Sequence, residues 1–144
     1  MPTAGELPDI NVLLALTIST HPFFDAASRW FDTTTGFATT PLTETGFVRQ
    51  LLNPAIVKQT IKPREAFEAV LALRADNRHE FWPDDAVLAE RPALTGALQG
   101  AKQVTDFHLL ALVGSRDAVL VTFDAAMTAP LAANDRRRVR VLHT

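Results

Sequence analysis

Ala118-Val-Leu-Val-Thr-Phe123 is a nearly continuous apolar run, closed at once by Asp124. Six such residues between turn signals predict a strand covered on both faces, the habit of parallel sheets packed between helices. A second apolar stretch, Leu7 to Ile10, contains Asp9 and runs directly into the helical pattern Asn11-Val-Leu-Leu-Ala-Leu-Thr17. In open parallel sheets, ligands collect beyond the carboxyl ends of the strands, and Asp9 and Asp124 both stand there. Pro8 is awkward in such a central strand, because it lacks a ladder donor.

Working outward, apolar runs and helical stripes alternate along all 144 residues, with no repeat, low-complexity tract or linker-like break. The length and the alternation predict one domain over 1–144, an α/β fold with an open, mainly parallel sheet flanked by helices. A helix is expected after His21-Pro22, with Phe24, Ala27, Trp30 and Phe31 on one stripe, then a short strand over 36–39. Thr40 with Pro41 starts a helix that stops before Asn53-Pro54. Lys62-Pro63 opens another through Ala66, Val70 and Leu73, and Glu80-Phe-Trp82 reads as a brief strand. The stretch from Asp84 to Leu98 is weakly helical and interrupted by Pro92. Thr105 is expected to cap a helix through Val113, and Val139-Arg-Val-Leu142 to form the last, edge strand.

Composition narrows the chemistry. An apolar share of 47% with 21% charged residues fits a globular chain and excludes disorder. The absence of cysteine excludes disulfides, thiolate catalysis and sulfur-ligated metals. No run is long enough to span a bilayer, and no basic segment precedes an apolar N-terminal stretch, so a cytoplasmic location is expected. The net charge of −2 offers no general attraction for nucleic acid, although Arg136, Arg137, Arg138 and Arg140 make the C-terminal region basic. That run reads either as a phosphate-binding patch or as a solvated rim beside the last strand.

Glu44 and Asp106 each head an apolar stripe in a first helical turn: Phe47, Val48 and Leu51 follow the first, Leu109, Leu110 and Val113 the second. A core-facing carboxylate costs several kcal/mol, about, unless it is paired or metal-bound. Helix dipoles return only about 0.3–1 kcal/mol apiece. Taken singly, Asp9 and Asp106 read equally as helix caps, Asp124 as a turn residue and Glu44 as a surface acid. Together they predict four carboxylates gathered in one cleft around a divalent cation. Oxygen donors without cysteine favour Mg²⁺, with Mn²⁺ as a substitute. Asp9 and Asp106 are expected to bind directly, Glu44 and Asp124 directly or through water.

Leu7-Pro-Asp-Ile-Asn-Val-Leu-Leu-Ala-Leu16, Thr43-Glu-Thr-Gly-Phe-Val-Arg49 with Asn53-Pro54, Val104-Thr-Asp-Phe-His-Leu-Leu-Ala111 and Thr122-Phe-Asp124 resemble, in order and spacing, the PIN domain, and more closely the VapC toxins of toxin–antitoxin systems. The resemblance covers nearly the whole chain. It implies a PIN-like fold, Mg²⁺- or Mn²⁺-dependent endoribonuclease activity, a homodimer and inhibition by a cognate antitoxin protein. It carries the acidic cluster onto Asp9, Glu44, Asp106 and Asp124, with Asn11 supporting the first acid and Thr122 placing a hydroxyl near the last. Phe107 after the third acid and Ala125-Ala126-Met127 after the fourth depart from common versions, a difference that bears on substrate contact.

Other readings compete. An aspartyl-nucleophile phosphatase needs a second Asp two residues after the first, where this chain has Asn11, and no glycine-rich phosphate loop is present. A catalytically silent PIN-like module for RNA or protein binding is the non-enzymatic alternative. His108 reads as a packing or surface residue before an RNA contact; His21, His79 and His143 lack ligand spacing. Arg49, five residues beyond Glu44, points to another face of that helix and serves phosphate, antitoxin or a structural ion pair. Trp30 and Trp82 read as core or interface aromatics.

Overall fold

A computed structural model describes residues 5–144. Five strands, β1 (Glu6–Pro8), β2 (Phe37–Thr39), β3 (His79–Phe81), β4 (Val119–Thr122) and β5 (Val139–Val141), form one sheet in the order β3-β2-β1-β4-β5, every pair parallel. The chain builds outward from β1 to β3, then crosses back to β4 and β5. The order therefore reverses between β1 and β4. That switch point opens a crevice at their carboxyl ends.

Helices cover both faces. From β1 the chain turns into α1 (Ile10–Thr17) and α2 (Phe24–Thr33) before β2; α3 (Pro41–Leu51), α4 (Pro54–Val57) and α5 (Pro63–Ala75) lead to β3. Then come α6 (Pro92–Ala97) and α7 (Val104–Ser115) before β4, and α8 (Ala133–Arg136) before β5. One core unites Leu7, Ala38 and Leu120 with the α7 residues Phe107, Leu109, Leu110 and Leu112 and with Trp82. On the other face Val12, Trp30, Phe37 and Val121 pack together, beside a helical cluster of Leu13, Leu14, Phe47, Leu51, Ala66 and Val70. Both tryptophans are buried, as the sequence predicts.

Local signals account for most boundaries. Thr40 and Thr43 form a reciprocal cap at the start of α3, with Pro41 at its first position. Three expectations need correcting. Ile10 belongs to α1 rather than to the first strand, because the Asp9 side chain takes the Val12 N–H at 2.9 Å and starts the helix. Pro92 opens α6 instead of interrupting a helix, since a proline at the first position loses no intrahelical bond. Thr105 is not a cap: α7 begins at Val104, after Gln103, without a side-chain cap bond. The helix begun at Pro41 does stop before Asn53-Pro54, and that pair also starts α4, the Asn53 side-chain Oδ1 accepting the Ala55 N–H.

Pro8 is accommodated by strand alternation. The Asp9 N–H reaches the Val121 carbonyl, and the Val119 N–H reaches the Gly5 carbonyl, so residues 5, 7 and 9 turn their polar groups towards β4. The donor that Pro8 lacks would point to β2, where pairing is registered only at Glu6 with Phe37. Its cost falls where the ladder has already ended.

Gly46 brings α3 against α1: a Cβ there would stand 2.3 Å from Ile10 Cδ1. Gly46→Val is expected to lower unfolding stability by about 1–3 kcal/mol through this overpacking. Urea unfolding checks it, and Gly46→Ala should cost less because the Ile10 tip can swing aside.

Candidate active site

Asp9, at the end of β1, is almost fully buried as the N-cap of α1. Burial drives its carboxyl up to about 6; hydrogen bonds from Thr122 and from the Val12 and Asn11 amides oppose the shift, and the Asp124 charge reinforces it. Asn11 therefore supports the acid through its backbone, its side chain being exposed. Thr122 does more. Its hydroxyl favours the Asp9 carboxylate while its oxygen accepts the Asp124 N–H at 3.0 Å, tying together the two strand ends that flank the crevice.

Asp106 lies in the first turn of α7, half-buried, and is pushed up to about 7 by burial, then by the charges of Asp9 and Asp124. Asp124 is exposed and caps the 3₁₀ turn Ala125–Thr128 by accepting the Ala126 N–H at 3.0 Å. Among the described residues none of these three aspartates has a cationic partner. The charges of Asp9 and Asp124 thus raise the cost of ionising Asp106, and that of Asp124 the cost of ionising Asp9, with no cation among the described residues to neutralise them.

Glu44 is placed differently. Its Oε2 accepts the Thr39 hydroxyl at 2.6 Å and Arg74 Nη1 at 2.7 Å. Thr39 has one hydroxyl proton and gives it to Glu44, so its 2.7 Å contact with His79 must run from Nε2–H to the Thr39 oxygen. Burial first, then the Arg74 charge, lowers the His79 pKa, which agrees with a neutral ring. Of the four acids expected to converge, three are aspartates that repel one another and the fourth, Glu44, is paired with Arg74.

The donor set fits a hard dication: oxygen ligands only, and excess negative charge at partly dehydrated positions. Among the described residues no three acidic or imidazole groups already surround one point. A dication held there would keep several waters and take one or two carboxylates directly.

Sequence reasoning missed Arg74, Thr39 and His79, which carry no motif, and Asp84. The Asp84 carboxylate accepts the Leu42 N–H at 2.8 Å and meets His108 Nε2 at 3.2 Å, joining α3 to α7. His108 is thereby a packing and bridging residue. Arg49 is exposed and has no ion pair among the described residues. In the basic run, Arg138 pairs with Asp117 and Arg140 with Glu6, Arg136 holds the Leu131 carbonyl, and Arg137 contacts Asn134. These bonds make that run chiefly a structural rim.

The sequence matches the PIN domain family over residues 7–130. It is 40% identical over 124 residues to ribonuclease VapC39 of Mycobacterium tuberculosis (strain ATCC 25618 / H37Rv), covering 84% of this chain and 89% of that protein. The chain belongs to the VapC family of PIN-domain proteins. Ribonuclease VapC38 of the same organism is 41% identical over 123 residues, covering 84% of this chain and 86% of the relative. The crystal structure of Mycobacterium tuberculosis VapC20, a Sarcin-Ricin loop cleaving toxin, superposes with a TM-score of 0.61 at 18% identity. The match covers 86% of this chain and 93% of that one. At that identity the likeness concerns the fold, and it agrees with the parallel sheet described above.

Proposed function

We propose that this VapC-family chain is an endoribonuclease, the toxin of a toxin–antitoxin pair, and that it hydrolyses RNA phosphodiester bonds with the help of Mg²⁺, Mn²⁺ serving as a substitute. The observation that carries the reading is the unneutralised Asp9, Asp106 and Asp124 set at the switch point of the sheet. It is joined by similarity to proteins named ribonucleases along most of the chain. Asp9 and Asp106 would hold the cation directly, Asp124 and Glu44 through water. When bound there, the ion supplies Lewis-acid polarisation of the phosphate and a water of lowered pKa.

The chain's own residues do the rest. Thr122 bonds the Asp9 carboxylate with its hydroxyl and takes the Asp124 backbone N–H with its oxygen, holding the start of the Asp124 turn beside Asp9. The α1 amides of Asn11 and Val12 orient Asp9, so that its oxygens do not swing into solvent. Glu44, anchored through Oε2, retains Oε1 for a water or for the proton released on attack.

We infer a cytoplasmic site of action from RNA as the substrate. No helix among the described residues is long and apolar enough to cross a membrane. The expected partners are a cognate antitoxin and a second copy of the chain, and the exposed Leu52, Ile56, Phe67 and Leu71 around α3 to α5 offer apolar surface for such contacts.

Two measurements test the reading. Mg²⁺ or Mn²⁺ at 100 times its dissociation constant should stabilise the protein by about 2.7 kcal/mol, seen as a raised Tm. Incubation with total RNA and Mn²⁺ should produce discrete new ends on sequencing. A raised Tm without any cleavage would instead identify a catalytically silent metal-binding module.

A further inference from the structure

Of the four acids, Glu44 alone has a cationic partner among the described residues, and that partner is itself firmly placed. Arg74 sits in the last turn of α5, where a cation complements the helix dipole. Its guanidinium lies 4.6 Å from the centre of the Phe81 ring. Phe81 is the register partner of Thr39 across β2 and β3, and Thr39 is the other donor to Glu44 Oε2. One carboxylate oxygen is thus gripped by two donors, one from β2 and one from α5, and His79 of β3 completes the chain by donating to Thr39. Among the described residues, Glu44 Oε1 has no hydrogen-bond partner.

We propose that Arg74 is a positioning residue that acts through Glu44: with Thr39 it fixes Oε2, presents Oε1 to the crevice, and keeps Glu44 from binding the metal directly. This rests on the nuclease reading above. Geometry separates it from a phosphate-binding role, because Arg74 already spends an N–H on a carboxylate 2.7 Å away and a face on Phe81. A partly exposed pair of this kind adds little to fold stability, so its loss should be felt in orientation.

The test is a double-mutant cycle with a binding control. Arg74→Ala should lower kcat about tenfold with KM changed less than about threefold, and Arg74→Lys should recover most of the loss because a point charge can still pair. Glu44→Gln should lower kcat too, and adding Arg74→Ala to it should cost less than about twofold more, since both act through one carboxylate. RNA affinity without metal, measured by fluorescence anisotropy, should stay within about twofold for Arg74→Ala.

Weaker metal-free binding would make Arg74 a phosphate contact and overturn the proposal. So would multiplicative losses in the double variant, or an unchanged kcat in Arg74→Ala. Should Arg74→Ala fold poorly, Thr39→Val removes the other grip on Oε2 and must show the same kcat-selective loss. A wild-type chain that cleaves no RNA with Mn²⁺ refutes the nuclease reading itself, whereas active wild type with an indifferent Arg74 refutes only this inference.

Discussion

Asp9→Asn is expected to reduce RNA hydrolysis by on the order of 10³-fold or more while raising the Tm of the metal-free protein at pH 8. The two effects share one cause. Asparagine is as good an N-cap as aspartate, so the bond to the Val12 amide and the start of α1 survive. What disappears is a negative charge on a residue only 3% exposed, repelled by Asp124 and repelling Asp106. At pH 8 that charge is present in the wild type although the fold has lifted its pKa to about 6. At 1.36 kcal/mol per unit, relieving it is worth about 3 kcal/mol at most, or several degrees in Tm for a chain of this size. An ordinary destabilising mutation lowers both activity and Tm. Opposite signs are the signature of a functional charge held at the expense of stability. Wild-type cleavage in this variant, or a lowered metal-free Tm with intact activity, would reduce Asp9 to a helix cap.

The parts of this site that were legible in the sequence are those whose position follows from local rules. Asp124 after the Val119 strand, and Asp9 between a strand and a helix, are placed by apolar patterning and by the rule that sheets bind ligands at their carboxyl ends. Asp106 is readable because a carboxylate heads the buried stripe of α7. Glu44 is readable as a position but not as an interaction. Its helix start is announced by Thr40 and Pro41, whereas its partner Arg74 is 30 residues away and is brought near only by the packing of α5 on α3. Long-range polar pairs leave no periodic trace. Asp84 with His108 illustrates the same limit, as a loop carboxylate ties two helices that no local signal connects. The misjudged boundaries at Ile10, Pro92 and Thr105 are all helix starts, which local signals place only to within a residue or two; a side-chain bond fixes the first of them, at Asp9, while α6 and α7 begin without one.

The pH dependence of metal stabilisation follows from the same three aspartates and gives the second large effect. In the metal-free fold Asp9 and Asp106 hold protons up to about 6 and about 7, against an ordinary value near 3.8 in the unfolded chain. Between those limits the folded state binds more protons than the unfolded state, so stability falls as pH rises from about 4 to about 7 and levels off above. A cation needs the carboxylates ionised and must displace those protons at low pH. At pH 5 the metal therefore competes with two protons, and at pH 8 with none. With 10 times less Mg²⁺ or Mn²⁺ needed for each proton released per pH unit, the midpoint concentration should fall steeply, by about 10- to 100-fold, between pH 5.5 and pH 7.5. The metal-free Tm should decline over that same interval, so the gap between loaded and free protein widens from both sides. Thermal titrations in matched ionic strength read both curves. Asp106→Asn should flatten each of them, because it removes the group with the higher pKa and relieves the repulsion on Asp9. A surface cluster of carboxylates behaves oppositely: its groups are already ionised at pH 5.5, so its metal midpoint would be level across the range. That outcome would mean Asp9, Asp106 and Asp124 do not share a cation.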